Sequence, residues 1–311
     1  MKLRFSFLGI LMAALVLCSG IIAEAAPGTD WHRQTITVTG SGVVPPGAYG
    51  AQARIMAKRA AVADAYRQLA EVVKGVQVDA TTTVEQAMVR SDTVNSSVSA
   101  VIRGAKIIDE NFTTDGAYEV TMELPIFGAN GGLASAVLER PAYVEPLPEP
   151  EPASITASVT IEISGGYTGV IIDCRGFQVQ PVMSPVIKNA KGKKIYGHKN
   201  LDPDKVIEYG MASYADSMSQ ASRAGSNPLV IKAVGVEDFN ANPVVSMEDA
   251  RRILSENQSS HFLENTAVVF HVLCAAAICT LKIKIISKLV RNFFKTIPPT
   301  LKRLPQLSGS P

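Results

Sequence analysis

The stretch AQARIMAKRAAVADAYRQLAEVVKG, residues 51–75, decides the fold of the N-terminal half. Ile55, Val62, Tyr66, Leu69 and Val73 recur at helical spacing. The pattern predicts a helix over residues 48–74 with those five side chains as its apolar face. Ala57, Ala60, Ala61 and Ala65 sit between them, and such small side chains would let the helix backbone approach a sheet closely. Lys58, Arg59 and Arg67 fall mostly on the wet side. Gly75 suits a left-handed stop after the last turn.

Around the helix the pattern changes to a period of two. Residues 34–38 alternate, with Ile36 and Val38 on one face, and read as a strand. Gly40-Ser41-Gly42 and Pro45-Pro46-Gly47 read as a loop, and residues 76–79 as the start of a second strand. Residues 83–101 are polar with helical character. A hairpin follows, residues 105–112 and 117–124, turning at Thr113-Thr114-Asp115-Gly116, because Asp-Gly between β-rich arms is a strong turn signal. The expectation is one long helix on an antiparallel sheet of three or four strands over residues 31–138.

Residues 139–153 interrupt both periods. Pro146, Pro148, Pro150 and Pro152 alternate with Leu147, Glu149 and Glu151. Proline fixes φ and removes the backbone donor, so the stretch is neither helix nor central strand. It is expected to be an extended linker, the alternative being a surface loop within one domain.

A second α+β domain is expected over residues 154–270, again an antiparallel sheet with packed helices. Residues 156–163 alternate strongly, and residues 169–173 read as a buried strand. Residues 186–188 and 194–196 flank Asn189-Ala190-Lys191-Gly192-Lys193 as a hairpin. Residues 204–218 read as a helix and residues 229–236 as an apolar strand. Ser246 caps a helix through about residue 257, with Asp249 three positions on, and residues 267–270 close the domain as a last strand.

Both ends of the chain differ from its body. Lys2 and Arg4 precede an apolar run through Ala23, and Ala23-Glu24-Ala25-Ala26-Pro27 offers small residues at a cleavage site. Residues 1–26 therefore read as a secretory signal cut after Ala25 or Ala26, directing the chain to the periplasm or the outer membrane. The other reading is an uncleaved anchor. Leu17 stands before Cys18 where a lipoprotein signal wants a small residue, which argues against lipidation. Residues 271–311 carry seven basic side chains and no acid. Three readings compete for this segment: translation past a shifted reading frame, a membrane anchor, or a basic amphipathic helix making membrane contact through residues 267–295. Fifteen apolar residues span only about 22 Å as a helix, short of a hydrocarbon core of ~30 Å.

With both ends set aside, residues 27–270 hold 21 basic and 27 acidic side chains, a net of −6. That mild acidity argues against nucleic acid as a partner. Cys174 stands alone in the body, so no disulfide forms there.

The sequence carries few signals of chemistry. Tyr196-Gly197-His198-Lys199-Asn200-Leu201-Asp202-Pro203-Asp204 puts one imidazole and two carboxylates within seven residues. His198, Asp202 and Asp204 are the only candidate metal ligands, and weak ones: Asp202 and Pro203 also suit a helix start, and a calcium loop needs more oxygen ligands. Ser184 lacks a nucleophile elbow, Cys174 reads as a small buried apolar residue, and the Gly40-Ser41-Gly42 stretch lacks the phosphate-loop spacing and lysine. No catalytic residue, metal or cofactor is expected.

Thr39-Gly40-Ser41-Gly42, the helix with Ala57-Lys58-Arg59-Ala60-Ala61, Asp64-Ala65-Tyr66-Arg67 and Leu69-Ala70-Glu71, then Gly104-Ala105 and Tyr118-Glu119-Val120, resemble the lipoprotein-20 family in order. That family is shared with the N-terminal domain of flagellar assembly protein T, and the likeness covers about residues 35–125. The resemblance implies a small α+β envelope module without catalysis, which in the flagellar member helps build a ring around the motor. Met183-Ser184-Pro185 and Asn200-Leu201-Asp202-Pro203 are similar to patterns in exported proteins of unassigned role. The expected function is non-enzymatic assembly or scaffolding in the cell envelope, with envelope proteins, motor or outer-membrane components as partners. The alternative is a periplasmic protein that binds a small ligand or metal through loops of the second domain.

Overall fold

The computed structural model describes residues 28–129, 131–151 and 165–273. The signal and its site at Ala25 and Ala26, the strand expected at 156–163, and residues 274–311 lie outside the described residues.

Strand β1 (Thr29–Asp30) pairs antiparallel with β2 (Thr35–Val43), and helix α1 (Gly50–Gly75) follows. β2 buries alternate residues: Ile36 and Val38, then Gly40 and Gly42 on the same face. The Gly40-Ser41-Gly42 stretch is thus strand, not the expected loop. The reason is the helix that lies on it. A Cβ at Gly40 would sit 2.2 Å from the Ala65 nitrogen, and one at Gly42 would sit 2.3 Å from the Ala57 carbonyl oxygen. Helix backbone touches strand backbone there. The buried face of α1 is accordingly Ala53, Ala57, Ala61, Ala65, Leu69 and Val73. This corrects the expected stripe: Ile55 is 54% exposed, and Val62 and Tyr66 pack only at the flank of the core. Polar groups complete the contact. β1 covers β2 only at Thr35 and Ile36. Farther along, the Ser41 amide donates to Asp64 Oδ2 (3.1 Å) and Gln68 Nε2 donates to the Thr39 carbonyl (3.1 Å). The helix thereby satisfies backbone groups beyond the reach of β1. Gly75 stays helical, and extended Val76 ends α1.

The strand expected at 76–79 is one bridge, Gln77 to Thr83, around a turn in which Asp79 Oδ1 accepts from the Thr81 and Thr82 amides. Thr83 and Gln86 form a capping box on α2 (Val84–Arg90), and Ser91 caps α3 (Asp92–Arg103). The expected hairpin is β3 (Lys106–Phe112) and β4 (Ala117–Pro125). The first sheet has the order β1-β2-β4-β3 and is antiparallel throughout. Helix α4 (Ala134–Val137) follows it.

The remaining elements are β5 (Gly169–Asp173), β6 (Ile187–Asn189), β7 (Lys194–Tyr196), α5 (Pro203–Tyr209), β8 (Ser213–Ala215), β9 (Pro228–Lys232), β10 (Gly235–Glu237), β11 (Asn242–Val245), α6 (Met247–Ser260) and β12 (Val268–His271). They build two sheets, β8-β12-β5-β9 and β10-β11-β6-β7. The first is parallel throughout. The second is mixed, with β11 parallel to β6 between two antiparallel pairs. The expectation of an antiparallel sheet in this half is therefore overturned. β5 and β12 are buried along nearly their whole length, without alternation, as strands covered on both faces are. The single good hairpin signal, Asn189–Lys193, belongs to β6 and β7 and does not extend to the other strands. The helix expected at 204–218 stops at Gly210 (φ +76°), and the chain re-enters a sheet as β8. The strand expected at 229–236 splits into β9 and β10, which lie in different sheets. The apolar run from Ala267 opens as β12, buried between β8 and β5, so its first residues are sheet interior.

One apolar core runs through both halves. The Trp31 ring meets Tyr214 edge-on at 5.8 Å. The Met183 amide donates to the Gln77 carbonyl (3.0 Å), and the Ser184 amide to that of Val78 (2.8 Å). The Gly128 amide donates to the Ile207 carbonyl (2.9 Å).

Two stability measurements test this packing. Gly40→Ala or Gly42→Ala should each cost about 3 kcal/mol in urea unfolding, since backbone must move. Gly176→Ala, with nothing within 4 Å of the added Cβ, should stay within about 0.5 kcal/mol of the parent. Trp31→Ala should cost about 3 kcal/mol and lower the midpoint of both halves together.

Candidate functional site

The His198–Asp204 loop leaves β7, makes one turn of 3-10 helix at His198–Asn200, and enters α5. Its residues do three different things. Asp202 is the N-cap of α5, accepting from the Asp204 amide at 2.9 Å, and Pro203 occupies the first turn. Asp204 turns outward to an ion pair with Arg140. His198 turns inward, and its buried Nε2 has no hydrogen-bond partner among the described residues. Burial lowers the imidazole pKa, against a smaller opposing pull from Glu139. The three candidate ligands thus have separate local environments. Among the described residues no three His, Cys, Asp or Glu side chains gather as a metal would need.

What the loop holds is the proline-rich segment. The Glu145 amide donates to the Lys199 carbonyl (2.8 Å), and Asn200 Nδ2 donates to the carbonyls of Glu145 (3.3 Å) and Pro146 (3.0 Å). Farther on, Arg251 Nε donates to the Glu151 carbonyl at 2.9 Å, and the Glu151 carboxylate pairs with Lys191 and Lys193. Leu147 packs on the core. Residues 143–151 form a strap fastened at both ends. Proline alternation marked the strap as extended, but nothing in it named Asn200 or Arg251 as the clamps.

The other reactive side chains have structural surroundings. Cys174 is buried and free; burial, with a smaller push from Asp173, raises its thiol to about 12, so it is protonated at neutral pH. Asp173 is held down at about 2, chiefly by hydrogen bonds from the Arg175 guanidinium. Ser184 Oγ lies 3.4 Å from Met211 Sδ, with no base beside it in that contact. Tyr196 is fully buried and donates to the Met211 carbonyl at 2.6 Å.

Comparison with known families adds to this geometry. Residues 45–125 match the LPP20 lipoprotein, so the resemblance carried by α1 and the hairpin holds. Residues 169–273 match the second domain of Treponema pallidum Tp0624. The search of the curated proteins gives no match. Neither family description names a reaction. Among the described residues no helix is long and apolar enough to cross a membrane.

The partly buried imidazole of His198 gives a pH signature. Its folded pKa lies below the unfolded value, so its contribution to stability is present above about 6.5 and is lost as pH falls through the folded value. The melting temperature should therefore fall between pH 7 and pH 5, and His198→Gln should remove part of that fall. An identical pH dependence in parent and variant would show that the ring is solvated.

Proposed function

We propose that this chain is a non-enzymatic exported protein of the cell envelope that acts in assembly or scaffolding, with a flagellar assembly as its finer role. The carrying observation is the LPP20 lipoprotein match over residues 45–125. That stretch is α1 laid on its sheet, with its small residues used in packing. Its distinguishing features are shape and close contact, as suits a module that joins other proteins. The Tp0624-like half is fused to it through a common core, so the two would move as one part.

In this reading the signal is cleaved after Ala25 or Ala26, and the mature chain works in the periplasm or at the outer membrane. The partners are envelope proteins, among them motor or outer-membrane components. The chain divides into two modules near residues 139–153, where the segment between them is a strap rather than a free tether. The mild acidity of residues 27–270 supports protein partners over nucleic acid.

A deletion strain tests the proposal. Loss of the gene should impair motor rings and motility or lower resistance to detergents, and re-expression of the full chain should restore them. Normal rings, swimming and detergent resistance in the deletion strain would contradict it.

A further inference from the structure

The outer face of α1 changes character halfway along the helix. In the C-terminal half Arg67 bridges Asp64 and Glu71, so charge is matched within the helix. In the N-terminal half the outward side chains are Gln52, Ile55, Met56 and Arg59, with Tyr49 just before the first turn. Tyr49 is 83% exposed, Ile55 54% and Met56 40%. Their spacing gathers them on one side. Tyr49, Gln52 and Met56 follow at steps of three and four, and Ile55 and Arg59 lie four apart beside them. Packing within the chain does not use these apolar groups, because α1 buries its alanine stripe instead.

The charge around them has one sign. From Trp31 to Ala63 the sequence contains no Asp or Glu. Lys58 is neutralised by Glu110 on β3. Arg54 stacks over the Phe112 ring at 4.9 Å and has no carboxylate partner among the described residues. Arg59, also exposed, has no ion pair among them. The first turn of α1 holds no acid, so the helix dipole adds to the positive potential there. A surface both apolar and cationic therefore sits on a body whose net charge is −6.

We infer that this face of α1 rests on a bilayer surface rich in anionic phospholipid. Ile55 and Met56 enter the boundary between headgroups and acyl chains, and Arg54 and Arg59 meet the lipid phosphates. Tyr49, apolar along its ring and polar at its tip, sits at the level of the headgroups. Arginine suits this depth, because its stem lies on apolar surface while its head stays among the phosphates. An uncharged bilayer supplies the apolar boundary without the anions and holds the face poorly. The contact lies within the folded body, apart from both ends of the chain, and does not depend on the assembly reading.

Tryptophan fluorescence of full-chain variants tests the inference at the residue itself. Trp31, the one native tryptophan, is 8% exposed and gives a constant background. With vesicles of equal parts phosphatidylglycerol and phosphatidylcholine, emission from Ile55→Trp should move to the blue and be quenched by lipids brominated on their acyl chains. Met56→Trp should behave alike. Vesicles of phosphatidylcholine alone should leave both unchanged. Val89→Trp, at an 83% exposed site on α2, should respond to neither. Adding Arg54→Gln and Arg59→Gln to Ile55→Trp should raise the vesicle concentration for half of the shift about tenfold. No shift at either α1 position, an equal shift with phosphatidylcholine alone, or an equal shift at Val89→Trp would overturn the inference. So would a response of Ile55→Trp to polyglutamate but not to vesicles, which would assign the face to an acidic protein.

Discussion

The fold of the N-terminal half depends on two side chains that are absent. Gly40 and Gly42 let the α1 backbone settle on β2 at a distance no Cβ could tolerate. Everything on that face follows from the approach. Alanines line the buried stripe, because larger residues would lift the helix away. Asp64 and Gln68 then reach the Ser41 amide and the Thr39 carbonyl, groups that would otherwise stay unpaired beside the helix. The apolar area buried by alanine is small, so the contact relies on dense packing and on these hydrogen bonds rather than on large hydrophobic side chains.

That sheet is also the foundation of the second half. Trp31, beside β1, meets Tyr214 at the edge of the parallel sheet, while Gln77 and Val78 accept hydrogen bonds from Met183 and Ser184. The strap, clamped by Asn200 and Arg251, ties residues 143–151 onto the second half. A protein whose modules share a core and whose connection is fastened transmits position from one end to the other, which is the property a scaffold needs.

Much of this was legible in the residues, and the failures have physical causes. The helix, the β3–β4 hairpin and the Ser246 and Asp202 caps are local features, set by spacing and by side chains a few positions away. The buried face of α1 was misread because hydrophobicity ranks Ile55 above Ala57, whereas the glycines on the opposing strand rewarded the smaller residue. Gly40-Ser41-Gly42 looks like a loop until the helix is placed over it. Strand direction in the second half was not legible locally, since β5 pairs with β9 and β12, both far along the chain. The uninterrupted burial of Val170, Ile171 and Ile172 carried the parallel signal, and the nearby hairpin masked it. At the candidate site, the Asp202 cap followed from Asp-Pro, but the inward turn of His198 required knowing what packs around the loop.

The central claim is that both halves form one folding unit resting on the glycine–alanine contact. Native-state hydrogen exchange tests it most directly. Amides of β4 (Val120, Met122) and of β5 (Val170, Ile172) should open with the same free energy and the same urea dependence, and Gly42→Ala should lower both by the same amount. Opening of β5 at its own free energy, unmoved by Gly42→Ala, would contradict the account.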